Sequence, residues 1–392
     1  MKIRSVTLGN NVTWPLSRGE FAKAQRFFNR ARALFEEAGV EVQTVRLATQ
    51  PLESMRAPAL ELAAGVEAAC GEAGIGYCSL GPAPLDAGLI AELIGSTSIV
   101  FASVATAHSG EVDFPAGRTA AAVVRRVADS TELGFGNLRF AAAAHCGPNI
   151  PFFPVAYHDG GHPKFALALQ CADLAVEAFS GEGSMAECQA RLAEALATAD
   201  RALSAVAKRL EREFAIEYLG ADFSFAPFPR EAESIGAAFQ RLGLERFGAS
   251  GSIFVASLLT RTVKSAQLGR WGLNGLMLPV LEDAALAAGT DRGDFSVNDL
   301  LLYSAVCGTG LDTVPLPGDV SEDELAGIIL DVSALSVTLD RKPLTARLLP
   351  VPGKKAGDRT TYDFEYFANG TVLPVKGLSP KRLLDRETPP LH

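Results

Sequence analysis

Three pieces near the start decide the fold class: Ile3-Arg4-Ser5-Val6-Thr7-Leu8, then Ser17-Arg18-Gly19-Glu20-Phe21, then, past Gly39, Glu41-Val42-Gln43-Thr44-Val45-Arg46-Leu47. Apolar residues alternate in the first and last pieces, the period of a half-buried strand. Between them Phe21, Ala24, Phe27, Phe28, Ala31, Leu34 and Phe35 recur at helical spacing. Ser17 with Glu20 has the form of a capping box, and Gly39 suits the position just past a helix C-terminus. Strand, helix and strand by residue 47 is the unit of an α/β fold.

The alternation continues outward from there. Strands are predicted at 75–80, 98–105, 139–144, 152–157, 344–349 and 361–367. Helices are predicted at 58–71, 86–94, 116–128, 164–179, 185–214, 231–242, 252–264, 281–288, 297–306 and 324–339. Residues 223–229 read as a Pro/Phe-rich loop, 315–318 as a Pro/Gly loop, and the last dozen residues as polar and frayed. No repeat or low-complexity linker divides the 392 residues. They read as a single domain, 1–392, with a small helical lobe at about 180–245.

Composition excludes several classes. With 48% hydrophobic and 21% charged residues the chain is not disordered. Lys and Arg total 36 against 45 Asp and Glu, a net charge of −9 without any basic run, so no nucleic-acid partner is expected. No stretch approaches the ~20 apolar residues of a membrane span, and Met1 to Gly9 has no signal-peptide core. The cysteines stand at 70, 78, 146, 171, 188 and 307 without a C-x-x-C pair, which reads as reduced thiols in a cytoplasmic protein. Alanine-rich helices suggest a homo-oligomer, and the expected partner is a small-molecule substrate.

The residues capable of chemistry gather in connections. His145-Cys146-Gly147-Pro148-Asn149 leads to Tyr157-His158-Asp159-Gly160-Gly161-His162-Pro163. The glycines and Pro163 forbid a helix there, but a loop can converge His158, His162 and Asp159 on one divalent ion, or use the imidazoles in acid–base catalysis. Tyr303 to Asp312 contains Cys307-Gly308-Thr309-Gly310, where Cys307 reads as the most exposed cysteine and a nucleophile, with Thr309 beside a closely approaching ligand. Asp312 and Asp319 are available to support a metal or orient a histidine. Lys354 and Lys355 between glycines suit an anion, although no P-loop is present. Asp222 and Ser224 lie in an apolar segment that reads as a pocket wall. Glu282 and Asp283 diverge on a helix start, and Asn10 and Asn11 follow the first strand, where open α/β sheets bind ligands. Gly-Phe-Gly-Asn at 134–137 lacks the third glycine of a dinucleotide fingerprint, so no nucleotide cofactor is expected.

Several of these segments carry a resemblance. They are Arg4 to Gly9, Ile150-Pro151-Phe152-Phe153-Pro154-Val155-Ala156-Tyr157-His158, Phe225-Ala226-Pro227-Phe228-Pro229 with Glu233-Ser234-Ile235-Gly236, Gly275 to Asp283, Tyr303 to Asp319, and Leu344-Thr345-Ala346-Arg347 through Phe367-Ala368-Asn369. Together they resemble the "domain of unknown function 711" family, also called uncharacterised protein family 0210, almost end to end. The resemblance implies a ten-stranded α/β barrel of the glycyl-radical-enzyme type, wrapped by helices, with a cysteine loop at its centre that Cys307 would occupy. Phe367-Ala368-Asn369-Gly370-Thr371-Val372-Leu373 lacks the Arg and Tyr that flank a radical-bearing glycine, so glycyl-radical chemistry is not expected.

The functional expectation is a non-radical enzyme acting on a small carboxylated metabolite inside the barrel, of hydrolase or lyase type. Cys307 would supply the thiol, and His158 with His162 or Asp159 would move protons. Arg347, Lys354 and Lys355 would hold the anion, with Asn10, Asn11, Tyr157, Asp222, Ser224, Glu282 and Thr309 lining the site. Two alternatives stand beside it: a metal-dependent hydrolase with His158 and His162 as ligands, and a non-catalytic small-molecule binding or regulatory protein on a degenerate enzyme fold.

Overall fold

Strands β1 (Lys2–Gly9) and β2 (Val42–Ala48) pair in parallel, joined through the helix Arg18–Glu37. That helix buries the seven apolar residues the spacing picked out, Phe21 to Phe35. In this computed structural model, which describes residues 1–386, the strands that follow are β3 (Tyr77–Pro82), β4 (Val100–His108), β5 (Glu111–Val112) and β6 (Phe140–Ala144). The remaining strands are β7 (Lys164–Gln170), β8 (Glu217–Ala226), β9 (Gly310–Pro317) and β10 (Leu344–Val351). They form one mixed sheet in the order β8-β7-β1-β2-β3-β4-β6-β10-β9, with β5 on β4. The five central strands run parallel, and the pairs β7–β8 and β10–β9 flank them antiparallel. Helices cover the sheet.

The ten strands do not close into the expected barrel: β8 and β9 remain edges. The irregular segment 269–281 hydrogen-bonds to both. Ala221 N donates to Gly269 O (2.9 Å), Met277 N to Ser224 O (2.9 Å), and Val280 N to Asp312 O (3.0 Å).

The sheet curls around a loop. Thr7 of β1 donates to Pro151 O (2.8 Å), Ser79 of β3 to Pro154 O (3.4 Å), and Phe101 of β4 meets Phe153 edge-on. Ala141 of β6, Ala168 of β7 and Ala226 of β8 pack with Ile150, Phe152 and Val155. At about 4.8 Å per strand, β8 to β6 would span roughly 29 Å if flat. Only a curled sheet lets strands so far apart touch one short loop. This explains the all-alanine run after Phe140: small side chains on one face of β6 leave room for the loop.

Five stretches depart from the sequence reading. Residues 152–157, read as a strand, are this interior loop. Residues 164–170, read as helix, are β7; Phe, Ala and Leu in a strand buried on both faces show no period-two signal. The loop read at 223–229 is largely the end of β8, and the prolines at 315–317 lie in β9, an edge strand, where proline is tolerated. Residues 361–367 form no strand. The segment 180–245 gives β8 to the main sheet, and its long helix Met185–Phe214 packs on the helix Arg18–Glu37. Of the tail read as frayed, Lys381–Leu384 form a helical turn with Leu384 buried, and 387–392 lie outside the described residues.

If the small side chains of β6 make room for the loop, enlarging one is costly. Ala141→Leu is expected to destabilise the fold by about 1–3 kcal/mol, measured by urea denaturation. An unchanged midpoint would show that the loop is free to move aside.

Candidate functional site

Beside the interior loop lies a narrow pocket of about 60 Å³, partly open to solvent. Arg4 of β1, Arg46 of β2, Asp312 of β9, Arg347 of β10 and Glu282 line it. Tyr77, Phe101, Phe152, Phe153, Phe364 and Tyr366 form its aromatic walls.

The charges form a chain. Glu282 accepts from Arg347 Nη2 through Oε1 (2.7 Å) and from Arg4 through Oε2. Arg347 Nε donates to Asp312 Oδ1 (2.5 Å). Arg46 feels the Glu282 charge but makes no direct ion pair: among the described residues its one hydrogen bond runs from Nε to Thr44 Oγ1 (2.9 Å). Its guanidinium carbon lies 5.3 Å from the ring centre of Tyr77 and 5.3 Å from that of Phe153. Two rings thus hold a planar cation whose terminal nitrogens have no acceptor among the described residues. Asp312 Oδ2 likewise has no protein partner among the described residues.

These contacts push the two carboxyls apart. Burial alone would raise Glu282, but Arg4, Arg347 and Arg46 outweigh it and hold the carboxyl below its ordinary range. Asp312 is raised: burial dominates, and the nearby Glu282 charge adds to it against Arg347. Burial, and then the Arg4 charge, lower Arg46 to about 10. Two carboxyls displaced in opposite directions are what acid–base chemistry needs.

Of the residues the sequence singled out, Glu282 and Arg347 meet here, joined by Asp312. The others do not line this pocket. Cys307 is buried rather than exposed, its Sγ accepting from Gly310 N (3.5 Å); Cys146 is the most accessible cysteine. Thr309 is buried, and its carbonyl accepts from Thr345 N (2.7 Å). No hydrogen bond or ion pair joins Cys307 to His158 among the described residues.

The histidine loop is held by internal hydrogen bonds. His158 is fully buried, with Nδ1 3.1 Å from Asn149 Oδ1 and Nε2 3.1 Å from Gly161 O, and burial lowers its pKa. Asn11 Nδ2 donates to Gly160 O (2.8 Å), and Asp159, held down to about 2 chiefly by Lys164, faces outward. His162 is exposed. Among the described residues no three His, Cys, Asp or Glu side chains are grouped to hold a metal, and both ring nitrogens of His158, one of the two expected ligands, lie on Asn149 and Gly161. Asn10 serves through its backbone, donating to Ala48 O (3.0 Å), and the Tyr157 hydroxyl to Cys146 O (3.5 Å).

Asp222 and Ser224 pin the segment beside β8. Asp222 takes hydrogen bonds from Leu273 N (2.6 Å), Asn274 N (3.1 Å) and Ser224, and burial lifts it to about 6. Gly272, at φ +105°, is the residue that fits there, since a Cβ would lie 2.3 Å from Asp222 Oδ2. Asp283 caps two helices at once, accepting from Leu286 N (3.0 Å) and Ile235 N (2.5 Å). Lys354 and Lys355 belong to an outward turn after β10.

Sequence reasoning passed over Arg4 and Arg46. The available signal was an arginine inside each of the first two strands, Arg4 and Arg46, among mostly apolar and hydroxylated residues.

Glu282→Gln keeps the shape and removes the charge shared by Arg4 and Arg347. The expected loss is about 3–5 kcal/mol near neutral pH. Because folded Glu282 titrates below its ordinary 4.5, the wild-type advantage is complete above that value. It fades as pH falls through the lower folded pKa. Urea denaturation of both proteins across that range checks this; a gap that stays constant into acid would contradict it.

The family model described as "Uncharacterised ACR (DUF711)" matches residues 1–365. A UPF0210 protein of Pyrobaculum arsenaticum is 34% identical, covering 86% of this chain and 79% of its own. One of Pyrobaculum aerophilum is 32% identical over 91% and 87%, and one of Desulfovibrio desulfuricans 28% identical over 96% and 91%. A protein with this charged pocket between β1, β2, β9 and β10 is thus a member of the DUF711, or UPF0210, family.

Proposed function

We propose that the chain is an enzyme that binds a small carboxylated metabolite in the arginine pocket and moves a proton on it, in lyase- or isomerase-type chemistry. The observation that carries the reading is Arg46: buried, clamped between two rings, and without a carboxylate partner. A buried guanidinium with free terminal nitrogens calls for an anion, and its fork matches a carboxylate. Among the described residues no cysteine, serine, histidine or lysine lines the pocket, so covalent catalysis by Cys307 and hydrolysis through His158 find no support there. Asp312, with one oxygen free, is the proton-transferring group in this reading, and Glu282 fixes the arginines.

A binding protein without turnover is the second reading. It is favoured by the ion pairs that already engage both carboxylates. Five parallel strands flanked by two oppositely directed pairs support the likeness to the glycyl-radical-enzyme barrel. A homo-oligomer in the cytoplasm remains part of the proposal, and no helix among the described residues is long and apolar enough to cross a membrane.

Small carboxylates should raise the melting temperature of the wild type, by about 2.7 kcal/mol of stabilisation at a hundred times Kd. Arg46→Gln should lose that response. An undiminished shift in the variant would remove the anion from this pocket. Deuterium uptake next to the carboxylate, followed by proton NMR in heavy water, separates enzyme from binder: exchange that Asp312→Asn abolishes supports catalysis, and binding without exchange supports the second reading.

Protonating Asp312 makes the pocket one charge more positive. Anion affinity should therefore rise as pH falls through its raised pKa, while the ligand stays ionised. Asp312→Asn should bind more tightly near neutral pH and lose this dependence, read by calorimetry. A wild-type profile flat in pH would contradict the assignment.

A further inference from the structure

Beside Arg4 and Arg46 the pocket wall carries Gln43. Its Oε1 is buried and has no hydrogen-bond partner among the described residues. The amide cannot simply be turned over, because a relay fixes it. Glu233 carries a carboxylate, which only accepts, so Gln170 Nε2 donates to Glu233 Oε1 (3.0 Å). That turns Gln170 Oε1 toward Gln43, whose Nε2 donates to it (2.5 Å). Arg230 Nη1 lies 3.9 Å from Glu233 Oε2 at the start of the relay. Gln43 Oε1 is therefore left as an acceptor by the polarity of the whole chain. A buried acceptor without a donor is costly, and a ligand donor in the pocket would relieve it.

We infer that the pocket selects a carboxylate that also carries a hydrogen-bond donor close to it, as in a 2-hydroxy acid, with the carboxylate on Arg46 and the donor on Gln43 Oε1. The inference rests on the anion pocket proposed above and names its substrate class. Glu233 is a positioning residue in it, acting through Gln170.

Matched pairs test it: propanoate against lactate, succinate against malate, and phenylacetate against mandelate, each chiral acid as both enantiomers, titrated by calorimetry. In the wild type at least one hydroxylated member should bind roughly tenfold tighter than its parent. Gln43→Met should keep the affinity for the parent acid and lose the preference. Glu233→Gln, on a half-buried side chain where folding is less at risk, frees the relay to reverse. It should shrink the preference several-fold and leave the parent acid's affinity unchanged. Arg46→Gln should weaken both members of a pair alike.

Equal wild-type affinities within every pair, with binding still dependent on Arg46, would overturn this inference and leave the anion pocket standing. A preference that survives both Gln43→Met and Glu233→Gln would also overturn it. Failure of all six acids to bind would overturn the pocket reading and this inference with it.

Discussion

One carboxylate ties the molecule together. Glu282 accepts from Arg4 on β1 and from Arg347 on β10. Those strands stand five steps apart in the sheet, with β2, β3, β4 and β6 between them. Laid flat, they would be separated by roughly 24 Å, far beyond the reach of two arginines to one group. The sheet must therefore curl until its arginines converge. The same residue closes the irregular segment that bonds to β8 and β9, so it also sits where the sheet's two edges approach one another. Burying these charges costs desolvation that their mutual attraction repays only in good geometry, and apolar packing would often be at least as stable. An ionic cluster kept in such a place argues for a function.

The sequence and structure agree where periodicity is strong and disagree where burial erases it. The amphipathic helix Arg18–Glu37 was legible because one face meets solvent and the other meets strands. Strand β7 was not, because Phe165 to Gln170 is buried throughout and its Leu-Ala alternation suits a helix equally well. Within the site, Arg347 and Glu282 drew attention as charges in apolar company. Arg4 and Arg46 did not, since a charged residue in an alternating strand is ordinarily read as its solvent face. Here the face they share encloses the pocket, and that inversion depends on the curl, a property no local window contains.

The loops richest in histidine, cysteine and glycine are densely hydrogen-bonded for a related reason. A loop inside a curled sheet must satisfy its own backbone away from water. His158 accordingly spends both ring nitrogens on Asn149 and Gly161, and Asn11 holds the adjacent turn. Asp222, Ser224 and Asn274 do the same for the segment beside β8. Residue types that signal catalysis on a surface loop are equally the types that solder an interior one.

Charge counting limits the ligand further. Three guanidinium groups face two carboxylates, Glu282 and Asp312, which leaves one positive charge when both are ionised. A single carboxylate then neutralises the pocket, and Arg46 is the place for it. With Asp312 protonated the excess becomes two, and a dicarboxylate is the better match. The burial that raises Asp312 thus couples its proton to the charge of what binds. A monoanion leaves Asp312 ionised and able to take a proton, whereas a dianion favours its protonated form, able to give one. On the proposed reading, direction of proton transfer and choice of ligand are in this pocket the same electrostatic decision.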